Sequence, residues 1–119
     1  MTSRAVLAVA GLALSACASA PPPGFEPIST PGAFVDMVAG REMTFPNGVL
    51  IANGDVTFSG DFGGETPSGD WEFTGGEFWR TLAIGAQAFP RTCNRLEAKP
   101  DAVRFFNPDG TLSAEAGLD

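Results

Sequence analysis

Asp55-Val56-Thr57-Phe58-Ser59-Gly60-Asp61-Phe62 is followed, past a Gly63-Gly64 pair, by Gly69-Asp70-Trp71-Glu72-Phe73-Thr74. In the first stretch Val56, Phe58 and Phe62 alternate with Asp55, Thr57, Ser59 and Asp61. In the second, Trp71 and Phe73 alternate with Asp70, Glu72 and Thr74. A period of two gives each strand one apolar and one polar face. The same pattern recurs downstream, with Phe78, Leu82 and Ile84 on one side and Trp79 on the other, and again at Val103 and Phe105. Between these runs lie Pro46-Asn47-Gly48, Asn53-Gly54, Gly75-Gly76, Lys99-Pro100-Asp101 and Asn107-Pro108-Asp109-Gly110. Each supplies either a residue tolerant of positive φ or a proline with preset φ, which is hairpin chemistry. The spacing leaves no room for crossover helices, so parallel βαβ units are excluded. The fold expected is mainly β, a small antiparallel meander curled into a barrel or a sandwich.

Upstream of the strands, residues 30–40 predict one short N-terminal helix. Thr30 suits the N-cap, Pro31 the first helical position and Gly40 a left-handed stop. Phe34, Met37 and Val38 fall on one face, which reads as a lid packed on the sheet. The domain expected is therefore 31–119. Its ten phenylalanines and two tryptophans, with no tyrosine, predict a dense aromatic core. A domain of this size is near the limit at which one core suffices without disulfides.

The first 16 residues have a different character. A short head ending in Arg4 precedes an unbroken apolar run over residues 5–14. As a helix that run reaches about 15 Å, roughly half a bilayer core, which makes it a signal peptide and not a stable span. Leu14-Ser15-Ala16-Cys17 then resembles the lipobox of bacterial lipoproteins. The resemblance implies cleavage between Ala16 and Cys17, diacylglycerol on the Cys17 sulfur, and an acyl group such as palmitate on the new amino terminus. The expected location is a periplasm-facing, lipid-anchored position in the cell envelope. Ala18 stands where an aspartate would favour inner-membrane retention, which points to the outer membrane. Residues 17–30 form the lipidated cysteine and a proline-rich tether, with prolines 21, 22, 23 and 27 favouring extended chain.

Charge and cysteine content narrow the partners. Removal of residues 1–16 takes away Arg4 and no acid, leaving 14 acidic and 6 basic side chains, so the net charge moves from −7 to −8. Nucleic acid and anionic head groups call for basic patches and are disfavoured. With Cys17 lipidated, Cys93 is the lone thiol, so an intramolecular disulfide is excluded. The absence of histidine removes histidine-based triads and most zinc sites. No nucleotide-binding glycine motif occurs. The chain is therefore read as non-enzymatic, with no catalytic residue, cofactor or metal.

Three side chains stand out as candidate ligand or partner contacts. Cys93 lies between Arg91 and Arg95, which share its face in a strand and would favour thiolate, unless the thiol is simply a small buried hydrophobe. Arg80 falls on the apolar side with Phe78 and Leu82. It either sits at a barrel mouth or tilted edge, or lines a polar ligand pocket. Trp79 faces outward beside it. The acidic run Asp55, Asp61, Glu65, Asp70, Glu72 and Glu77 fits no calcium loop, although a hairpin of 55–62 with 68–74 would set Asp61 near Asp70.

Gly69-Asp70-Trp71-Glu72-Phe73, Gly76-Glu77-Phe78-Trp79-Arg80, Cys93-Asn94 and Val103-Arg104-Phe105 together resemble a poorly characterised family of small exported bacterial β-proteins, over residues 41–113. Trp79 stands where that family has its first cysteine, so the family's disulfide cannot form. The outline is also similar to small periplasmic metalloprotease-inhibitor barrels. The function expected is a lipid-anchored envelope module that binds an envelope protein or polymer through its rim or outer face. The alternative is a barrel that holds a small ligand near Arg80, or an inhibitor-like barrel.

Overall fold

The computed structural model describes residues 24–119. Cys17 and Ala16, the expected signal peptide and the first part of the expected tether lie outside them. The elements are β1 (Glu26–Ile28), α1 (Pro31–Met37), β2 (Met43–Phe45), β3 (Gly48–Ala52), β4 (Phe58–Asp61), β5 (Pro67–Thr74), β6 (Glu77–Ile84), β7 (Gln87–Lys99), β8 (Ala102–Phe106) and β9 (Leu112–Leu118). The strands run antiparallel in the order β4-β3-β2-β9-β8-β7-β6-β5, and β1 pairs with β7 off this path. Between the outermost strands a bridge joins Thr57 to Asp70, and Trp71 N–H donates to the Val56 carbonyl at 2.9 Å. The sheet is a nearly closed barrel, which decides between the two expected architectures.

The long strand β7 organises one wall. Its first half pairs with β6, with a register shift between Arg80 and Leu82, and its second half pairs with β8. β1 occupies the lane beside residues 96–98. Residues 26–28, part of the tether in the sequence reading, are thus a barrel strand, and Ile28 is buried.

Alternate hairpins place the turns at 53–57, 75–76 and 100–101 at one end. The turns at 46–47, 63–64, 85–86 and 107–111 lie at the other. α1 closes the first end. The Thr30 hydroxyl oxygen accepts from Ala33 N–H, Pro31 opens the helix, and Gly40 adopts φ 80°. Phe34 and Val38 are fully buried and Met37 is packed against the core. Phe34 stacks on Phe78 at 5.0 Å and on Phe73 at 5.5 Å, and lies 4.9 Å from Trp71. Arg41 ties the helix down by donating to the carbonyls of Met37 at 3.1 Å and Pro100 at 2.8 Å. Its guanidinium supplies the last turn of α1 with a donor and locks that turn to the β7–β8 connection.

Two turns at opposite ends share one pattern, Asn-x-Asp-x-Thr, at 53–57 and 107–111. In each, the threonine N–H and hydroxyl donate to the aspartate, and the asparagine amide donates to the threonine hydroxyl. The hydroxyl bonds hold the carboxyls of Asp55 and Asp109 below the ordinary range. The fourth position has φ 90° at Gly110 but φ 66° at Val56. Val56 is consequently turned out and 45% exposed, not inward as its place in the alternation predicts.

The hairpin of 55–62 with 68–74 also differs from expectation. Asp70 faces Thr57 and Thr81, while Asp61 pairs across to Val49 and accepts from Gly64 N–H at 2.7 Å. Asp61 and Asp70 are therefore not cross-strand neighbours.

Candidate functional site

The end opposite α1 is open. There the inward residues of β6 line a cavity of about 300 Å³, with Phe89 beside them on β7 and Phe45, Phe62 and Phe105 across from them. Phe45 lies 6.5 Å from Phe62 and 6.0 Å from Phe105, which forms a loose aromatic collar. Toward solvent a second hollow shares Asn47, Phe62, Ile84 and Phe89, and adds Glu65 and Gln87. Ligand sites of this kind combine an apolar wall with few polar groups.

The strand parity that places Phe78 and Leu82 inside also places Arg80 inside. Its cross-strand neighbours are Trp71 on β5 and Thr92 on β7, and all three side chains share the inner face. Arg80 lines the cavity, and among the described residues it makes no hydrogen bond or ion pair. Burial lowers its pKa from the ordinary value, yet a guanidinium keeps its charge at any ordinary pH. The expectation of an inward Arg80 holds, and the side chain stands partway down the barrel without an acidic partner.

Next along the inner face of β7 is Asn94, only 2% exposed, whose amide donates to the Phe106 carbonyl at 3.2 Å. Among the described residues its Oδ1 has no hydrogen-bond partner. An unmet buried acceptor costs about 1–3 kcal/mol. Sequence reasoning read Phe62 as inward and met Asn94 only in the resemblance, and it named neither these two nor Phe45 and Phe89 as site residues. Their inward parity was the available signal, but Phe89 lies just before a Pro90 irregularity that hides it.

The outer face of the same wall carries the other two candidates. Arg91 stacks over Trp79 at 5.4 Å and pairs with Glu72 at 2.5 Å. Both charges are well exposed, so the pair contributes little to stability. Arg95 stacks over Phe106 at 5.2 Å. Cys93 is half-buried and free, with its Sγ 3.9 Å from Glu77 Oε2. Arg91, Cys93 and Arg95 do share a face, but the thiol pKa is raised, first by burial and then by the negative charge of Glu77. The expected push toward thiolate is therefore reversed, because Glu77 is the charge against the sulfur. At pH 8 Cys93 should react with Ellman's reagent more slowly than a free cysteine peptide, and Glu77→Gln should quicken it. A rate above the peptide's would contradict this environment.

Arg80 and the collar thus form one inward site, while Trp79 and Cys93 belong to a separate outer patch. No family model matches the chain, and neither a curated protein nor a solved structure matches it significantly.

Proposed function

We propose that this chain is a non-enzymatic binding module of the bacterial cell envelope, anchored through lipid on Cys17, with the open end of its barrel as the working part. One juxtaposition carries the reading: an apolar cavity, open to solvent, whose wall holds an unpartnered arginine. A wall built only for packing favours an apolar residue at that inward position, because a half-buried cation without a partner loses hydration and gains no ion pair.

The path of the chain supports a direction for this module. β1 enters beside Ala98, next to the 100–101 turn, at the end closed by α1. Outside the barrel, Phe25 lies under the guanidinium of Arg104 at 3.8 Å and near Lys99 at 5.2 Å. The chain between Cys17 and Gly24 is short enough that even fully extended it spans only roughly 20 Å. The mouth points away from the anchoring surface, toward the aqueous envelope space. A second reading, docking of an envelope protein or polymer, rests on the exposed stack of Arg91 on Trp79.

The anchor is tested by Cys17→Ser in cells fed radiolabelled palmitate. The parent chain should take up label and sediment with membranes. The variant should lose both properties, since each buried methylene is worth about 0.8 kcal/mol of membrane affinity. Identical membrane partition of both chains without label would overturn the anchored reading.

A further inference from the structure

We infer that the barrel mouth takes a small apolar monocarboxylate, head first, with its carboxylate on Arg80 and its hydrocarbon body against the collar phenylalanines. This rests on the reading of the open end as a ligand site, and narrows it to one chemical class. The sign of the ligand comes from Arg80, among the described residues the single charged side chain lining the inner cavity. A guanidinium presents a planar fork of donors that matches a carboxylate with two parallel hydrogen bonds.

The orientation comes from depth. Arg80 lies midway along β6, and Leu82 and Ile84 follow it toward the mouth. Glu65 lines the outer hollow, where it would repel an anionic head left at the rim. The head is therefore held deep, and the apolar body fills the space between Leu82, Ile84, Phe62 and Phe89.

The size comes from volume. The inner cavity of about 300 Å³ corresponds to about ten water-sized groups at roughly 30 Å³ each. A chain the size of octanoate fits, and a two-chain phospholipid does not. The net charge of −8 left after removal of residues 1–16 (14 acidic, 6 basic) works against general adhesion of anions, so preference for a carboxylate reports a local cation.

The test is a titration of the isotope-labelled chain lacking residues 1–16, carrying Cys17→Ser, with octanoate, 1-octanol and octyltrimethylammonium, followed by amide shifts. These probes share a tail and differ in the charge of the head. Octanoate should bind about tenfold or more tighter than octanol, and the cation weakest, with shifts centred on β6 and the 85–86 turn. In Arg80→Met the advantage of octanoate over octanol should vanish while octanol binding persists. If that variant fails to fold, the order of the three probes on the parent chain decides. Equal binding of octanoate and octanol would overturn the carboxylate assignment and leave the cavity as an apolar site. Failure of all three to bind would overturn both readings.

Discussion

Phe34→Ala is expected to destabilise the domain by about 3–5 kcal/mol, the range for truncating a buried phenylalanine. The ring is fully buried and touches Trp71, Phe73 and Phe78 at once, so α1 is held to the barrel end chiefly through it. Aromatic contacts of this geometry add to the burial term. A small domain has about 5–15 kcal/mol in total, so the loss removes a large fraction of its stability. Urea unfolding of the parent and the variant measures it. Val35→Ala, on the exposed face of the same helix, should stay within about 0.5 kcal/mol. A loss below about 1 kcal/mol at Phe34 would mean that α1 is an ornament and not the closure of the barrel.

Gly69→Ala is expected to cost about 3 kcal/mol or more, by a different mechanism. Gly69 adopts φ 132°, and a Cβ there would run into the Thr81 carbonyl oxygen and lie 2.8 Å from its carbon. Both obstacles are backbone of the neighbouring strand, so no side chain can swing aside and β5 would have to leave β6. Gly60, on the facing strand β4, has φ 141° and the same relation to the Val49 carbonyl. These two glycines coil the strands on either side of the seam where the barrel closes. Gly63→Ala makes the control, because Gly63 has φ 64° with nothing within 4 Å of the added carbon. Only turn strain of about 1 kcal/mol applies there. Thermal unfolding should separate the two variants by more than about 8 °C. Equal melting temperatures would show that the seam tolerates a side chain.

Much of the barrel was legible because its strands are half-buried. Trp71 and Phe73, Phe78 and Leu82, and Val103 and Phe105 all face the core at the spacing that their alternation requires. The helix was legible from its caps, since Thr30, Pro31 and Gly40 each satisfy a local geometric demand. Other parts depended on contacts far apart in the chain. β9 is built largely of small residues and is defined by pairing with β2 and β8, which no local pattern records. β1 hides among prolines because Ile28 alone is inward. Val56 fits the alternation, yet the Asn53–Thr57 turn bonds override it.

The candidate site was legible in the same measure. Parity places Arg80 inward, but whether an inward arginine meets an acid depends on the opposite wall. That wall is Phe45, Phe62 and Phe105, assembled from three separate hairpins. Cys93 shows the converse. Its flanking arginines are evident in the sequence, whereas Glu77, which raises its pKa, comes from the neighbouring strand.

The most direct test of the open barrel end as the working part uses a neutral probe, so that the charge of Arg80 plays no role. Intermolecular nuclear Overhauser effects from 1-octanol should reach Leu82, Ile84 and Phe89, disappear in a folded Ala114→Trp variant that fills the cavity, and persist in Trp79→Ala. Contacts confined to the Trp79 face, or mouth contacts that survive Ala114→Trp, would contradict the account.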